Sequence, residues 1–124
     1  MIKPLAIVAY EKLLPGTQLV NRLQDLGYRV ETLADITKLT ATAEASRPMV
    51  VVADLGDSSE RVLQSISHLR QNAATSHLPV VAFSKEPLAP REGPASKAGV
   101  TLLVSDTAIL NHLAQCLERA LQLD

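Results

Sequence analysis

The sequence predicts a three-layer α/β domain: a five-stranded parallel sheet in the order 2-1-3-4-5, with helices on both faces. Three observations carry that expectation. The stretch Met49-Val50-Val51-Val52-Ala53-Asp54 is an apolar run rich in β-branched residues, the pattern of a strand buried on both faces at the centre of a parallel sheet. Four other short strand-like runs are separated from one another by segments of helical spacing. Such an alternation folds through right-handed crossovers into a parallel sheet. Finally, 124 residues, 47% of them hydrophobic, can bury one core without disulfides or metals. The reading is a single domain over residues 1–124.

Leu5-Ala6-Ile7-Val8-Ala9 is the first strand, followed by a loop over residues 10–14. Pro15-Gly16-Thr17 opens a helix on which Leu19, Val20, Leu23 and Leu26 form one buried stripe, and Gly27 closes it. Tyr28 to Leu33 alternates apolar and polar residues, as a strand near a sheet edge does. Asp35 caps a weak helix through about Ser46 that turns Ile36, Leu39 and Ala43 inward, and Pro48 stops it. After the central strand, Asp57-Ser58-Ser59-Glu60 has capping-box spacing and opens a helix burying Val62, Leu63, Ile66 and Leu69. Leu78 to Phe83 is the fourth strand. Three of the seven prolines fall between Pro87 and Gly99, so a shortened or irregular fourth helix is expected, one or two turns from Pro94 to Lys97. Val100 to Val104 is the fifth strand. A last helix is expected from about Thr107 to Leu121, with Ile109, Leu110, Leu113, Leu117, Ala120 and Leu121 inward.

The totals exclude several classes of function. A net charge of −1 offers no field to steer nucleic acid or an anionic membrane. Tyr10, Tyr28 and Phe83 are the only aromatics, too few for a base-stacking surface. No apolar run approaches the roughly 18 residues of a membrane span. Met1-Ile2-Lys3-Pro4 leads into a strand without a signal-peptide pattern, so the expectation is a cytoplasmic protein. The single cysteine, Cys116, excludes an internal disulfide and reads as a small buried apolar residue. His68, His77 and His112 share no metal-ligand spacing and pair with no nucleophile, and no glycine-rich loop follows the first strand. The chain does not read as an enzyme.

In an open parallel sheet, ligands and chemistry gather where the strands end, at the switch point between the first and third strands. Ala9 and Tyr10 should therefore face Asp54 across a crevice. Several segments also carry a resemblance. The stretch from Leu69-Arg70-Gln71-Asn72 to Ser76-His77-Leu78-Pro79-Val80-Val81 is similar to the join between the third helix and fourth strand of receiver domains of two-component response regulators. Ala98-Gly99-Val100 resembles the segment that precedes their fifth strand, and Gly27-Tyr28 their first helix-to-strand corner.

The resemblance implies a flavodoxin-like fold and, in typical members, a phosphorylation switch. It implies paired carboxylates after the first strand to hold Mg²⁺, which takes oxygen ligands in octahedral geometry. It also implies an acceptor aspartate after the third strand, a hydroxyl after the fourth, a lysine after the fifth, and an aromatic on the fifth that reports the change. Asp54 matches the acceptor and Ser84 the hydroxyl. Ala9 and Tyr10 stand where the paired acids belong, with Glu11 the nearest carboxylate; Asp106 stands in place of the lysine and Leu103 in place of the aromatic. The chain thus reads as a degenerate pseudo-receiver, a protein-interaction module that needs no cofactor.

Two alternatives accompany that reading. One is an atypical receiver phosphorylated on Asp54 with Mg²⁺; the other is a regulatory domain that binds a small ligand in the strand-end crevice, or a divalent cation through Glu11, Asp54, Asp57 and Asp106. Asp106-Thr107 also has a purely structural account as a cap of the last helix. The expected contact surface includes Leu103 of the fifth strand and the outer face of that helix, with Asn111, Gln115, Glu118 and Gln122. Its partner is a signalling protein or a second copy of the chain.

Overall fold

The computed structural model describes residues 3–10, 13–56 and 59–122. Its sheet holds five parallel strands in the order β2-β1-β3-β4-β5: β1 Leu5–Ala9, β2 Arg29–Leu33, β3 Val50–Asp54, β4 Val80–Ser84 and β5 Leu102–Ser105. The helices are α1 Leu13–Asp25, α2 Leu39–Ser46, α3 Ser59–Gln71, α4 Ala89–Ala98, α5 Asp106–Asn111 and α6 Leu113–Gln122. A single 3-10 turn, Ile36–Lys38, leads into α2.

Alternation along the strands divides the core into two halves. Ile7, Ala9, Val51, Ala53, Val80 and Ala82 pack with α2, α3 and Ala98 of α4. Ala6, Val8, Val50, Val52, Val81, Phe83 and Val104 pack with α1, α5 and α6. The β3 run from Val50 to Ala53 is fully buried, as its unbroken apolar pattern requires, and β2 is the half-exposed edge.

The edge of the sheet where the strands begin is fixed by one side chain. Arg70, near the end of α3, donates from Nε to the Gly99 carbonyl (2.9 Å), from one terminal nitrogen to the Ser76 carbonyl (2.7 Å), and from the other to Thr101 Oγ1 (3.1 Å). Thr101 in turn accepts from the Val80 amide at the start of β4. Gly99 sits at φ +99°, in the left-handed region, and a Cβ there would stand 2.6 Å from Arg70 Cγ. Only glycine suits both constraints. Fully buried Thr75 donates to the Leu69 carbonyl at 2.6 Å, which folds the α3–β4 connection back on the helix.

The structure corrects five expectations. α1 starts at Leu13, before Pro15, whose missing amide costs nothing in a first turn. Leu26, spaced to be buried, is 47% exposed and borders an open groove shared with Leu110, Asn111 and Ala114. α4 has ten residues rather than one or two turns. Pro90 lies in its first turn, where no bond is lost, and Pro94 removes only one; buried Ala95 and Ala98 hold the rest. The last helix is two helices, broken at His112 (φ −130°, ψ 36°), although no proline or glycine marks the place. α5 packs on α1 as well as on β4 and β5, whereas α6 packs on β4 and β5, and packing overrides local propensity. Finally, the N-cap of α5 is Ser105, whose Oγ accepts from the Ala108 amide at 3.0 Å. β5 and α5 abut without a loop, so Asp106 becomes the first helical residue, where its charge still suits the helix dipole.

Candidate functional site

β1 and β3 are neighbours whose following helices leave to opposite faces, which opens a crevice beyond their ends. Ala9 lies opposite Ala53, and Asp54 is the next residue of β3. Half-buried Asp54 accepts from the Gly56 amide through Oδ1 at 2.9 Å, the side-chain-to-backbone bond of an Asx turn. The chain is anchored just beyond by the Leu55 amide donating to the Phe83 carbonyl at 3.0 Å.

Facing Asp54 are Ala9, 3% exposed, and Tyr10. The Tyr10 amide extends the β1–β2 ladder by donating to the Leu33 carbonyl at 3.2 Å. Its ring packs on Gly16 of α1 so closely that a Cβ there would come within 2.3 Å of it. The lone glycine of Pro15-Gly16 thus makes room for an aromatic ring rather than for a phosphate. Leu33, Ala34, Ile36 and Val62 complete the wall. The cleft has a volume of about 10 Å³, near the least that a single water needs.

The remaining sequence candidates lie apart from this cleft. Ser84, 3% exposed, ends β4 opposite Ser105 and donates weakly to the Lys85 carbonyl at 3.4 Å. Asp106 begins α5 beyond β5, and Leu103 is half-buried against the core on the α2–α3–α4 side. Asn111, Gln115, Glu118 and Gln122 are all exposed. Glu11 and Asp57 lie outside the described residues, so the acidic cluster is represented here by Asp54 and Asp106, on strand ends separated by β4. Among the described residues no three His, Cys, Asp or Glu side chains gather closely enough to hold a metal ion. A methyl group and a phenol ring flank Asp54, and neither is the carboxylate that Mg²⁺ takes. The described donor set does not fit that ion.

Sequence reasoning placed Ala9, Tyr10 and Asp54 together from strand order alone. It did not name Ala34 and Ile36 as the outer wall, though the position of β2 beside β1 implies that residues after Leu33 flank the crevice. The contact of Tyr10 with Gly16 left no signal in the sequence.

No protein-family model and no curated protein sequence matches the chain significantly. Solved structures do. The chemotaxis protein CheY4 of Vibrio cholerae superposes with a TM-score of 0.85 at 19% identity, over 96% of this chain and 99% of that one. A putative response regulator from Chloroflexus aurantiacus gives 0.85 at 14% identity, over 98% and 99%. The fold is that of response-regulator receiver domains. A response regulator from Thermotoga maritima, at TM-score 0.81 and 16% identity over 98% and 99% of the two chains, agrees. Likeness at this level of identity speaks to the receiver fold and leaves the chemistry to the residues. No helix among the described residues is long and apolar enough to cross a membrane.

Proposed function

We propose that this chain is a phosphorylation-independent pseudo-receiver that works by binding a protein partner in signal transduction, and catalyses no reaction. The observation that carries the reading is the pair Ala9 and Tyr10 beside Asp54, where a phosphorylated receiver would present carboxylates. Phosphoryl transfer is catalysed almost entirely by positioning and electrostatic stabilisation. A phosphoryl group on Asp54 would add roughly two negative charges. The strand end that would carry a neutralising lysine carries Asp106, and Lys85 is exposed to solvent. Asp54 is engaged instead in the turn that leaves β3, through Gly56. The partner-binding surface in this reading includes Asn111, Gln115, Glu118 and Gln122, exposed on α5 and α6.

The test is incubation with a small phosphodonor, or with beryllofluoride, in the presence of Mg²⁺, followed by intact mass and amide spectra around Asp54. No mass increase and no shift are expected. A stoichiometric adduct that disappears in Asp54→Asn would overturn the reading in favour of an atypical receiver.

A further inference from the structure

Leu26, left 47% exposed at the end of the α1 stripe, stands at a groove of about 220 Å³ between α1 and the last two helices. Arg22 and Asp25 line one side with it; Leu110, Asn111 and Ala114 line the other. The break at His112 lies beside this groove: α5 packs on α1 as well as on β4 and β5, and α6 begins at Leu113 along the same wall. Arg22, Asp25 and Leu26 are spaced i, i+3, i+4 and share one face, and the Leu26 amide still donates to the Arg22 carbonyl at 3.1 Å. All three are exposed.

We propose that this groove is the contact between two copies of the chain, packed about a twofold axis with each Leu26 against the other copy's groove. A twofold interface sets one patch against itself, so that residue i meets j and j meets i. A patch carrying one cation and one anion a helical turn apart, beside a single apolar side chain, complements itself in that arrangement. With α1 antiparallel to its copy, each Arg22 faces an Asp25 across the axis. A strongly acidic or strongly basic partner would instead find one of the two charges opposed to it. A net charge of −1 leaves two copies little mutual repulsion. The proposal names the partner within the interaction-module reading and rests on that reading.

Sedimentation velocity of the full 124-residue chain across the micromolar range tests it. A reversible, concentration-dependent dimer is expected. Leu26→Asp enters the interface twice and should raise its Kd roughly a hundredfold. Arg22→Asp alone sets like charges against each other and should weaken the dimer about tenfold. Arg22→Asp combined with Asp25→Arg should restore it to within about threefold. Because all three positions are exposed, the variants should keep the parent melting temperature when both are measured at concentrations where the parent is monomeric, and the charge swap is informative independently of Leu26. A chain that stays monomeric throughout, a dimer indifferent to Leu26→Asp, or a swap no better than Arg22→Asp would each overturn the proposal. An Asp54 adduct with this dimer intact would overturn only the phosphorylation-independent reading, and a monomer that forms no adduct would overturn only this one.

Discussion

Where the strands begin, Arg70 ties α3, the α3–β4 connection and the α4–β5 corner together through three hydrogen bonds; where they end, Asp54 stands beside an alanine and a tyrosine. The segments that resemble receivers lie at the first edge. Arg70 and Ser76 belong to one of them and Gly99 to another, and in the folded chain they touch. The departures from the receiver pattern, at Ala9, Tyr10 and Asp106, lie at the second. A fold and a reaction draw on different residues of the same scaffold, so one can persist without the other.

The largest expected effect is at the first edge. Gly99→Ala forces a Cβ on to the Arg70 side chain at a backbone φ of +99° and should cost about 3 kcal/mol, read as a lower urea midpoint with an unchanged slope. Arg70→Ala should follow at about 2 kcal/mol, because it removes the Arg70 donor from the Gly99 and Ser76 carbonyls and leaves Thr101 with the Val80 amide. Arg70→Lys should recover less than half of that loss, since an ammonium cannot reach three acceptors in fork geometry. The two sites are in contact, so Gly99→Ala should cost less in the Arg70→Ala background. If the costs simply add, the first edge is not the lock described.

At the second edge a smaller and reversible effect is expected. Gly16→Ala drives a methyl into the Tyr10 ring and should cost about 1–2 kcal/mol. Tyr10→Ala should remove most of that penalty while leaving the β1–β2 ladder intact, because the Tyr10 bond to Leu33 is made by backbone. Thermal melts of the two single variants and the double variant close the cycle. An equal penalty with and without the ring would mean that Gly16 is required for a reason other than Tyr10.

The contrast also sorts what the sequence could reveal. Strand identity and order were legible at both edges, because an apolar run such as Val50 to Ala53 has only one stable place in a sheet of this kind. The crevice was legible in outline for the same reason: the β1 and β3 ends must meet at the switch point. What escaped depends on packing between segments without local markers. Three prolines read as a helix breaker, yet Pro90 falls in a first turn and α4 forms around Pro94. Nothing at His112 announces a break; the two helices share β4 and β5, and α5 packs on α1 as well. Leu26 reads as core by spacing, yet it ends the stripe at the rim of an open groove.

The smallest expected effect concerns acid. The Gly99 and Ser76 carbonyls and the Thr101 hydroxyl that accept from Arg70 do not titrate in acid. The crevice edge has, besides Asp54, a carboxylate next to its wall. Asp35 caps the 3-10 turn that presents Ile36 to the cleft, accepting from both the hydroxyl and the amide of Thr37. The bond from the Thr37 hydroxyl, then that from its amide, holds the Asp35 carboxyl below its ordinary 3.8. A carboxylate lowered by folding contributes stability that is present above its unfolded value and is lost as pH falls through its folded one. Below pH 3.8 the Thr37 amide should therefore shift and exchange faster as the cap protonates, while the Val80 amide, bonded to Thr101, holds its position until global unfolding. In Asp35→Asn the Thr37 shift should no longer follow that titration. If the Val80 and Thr37 amides move together in the parent chain, the two edges respond to acid as one unit and the difference between them is confined to chemistry.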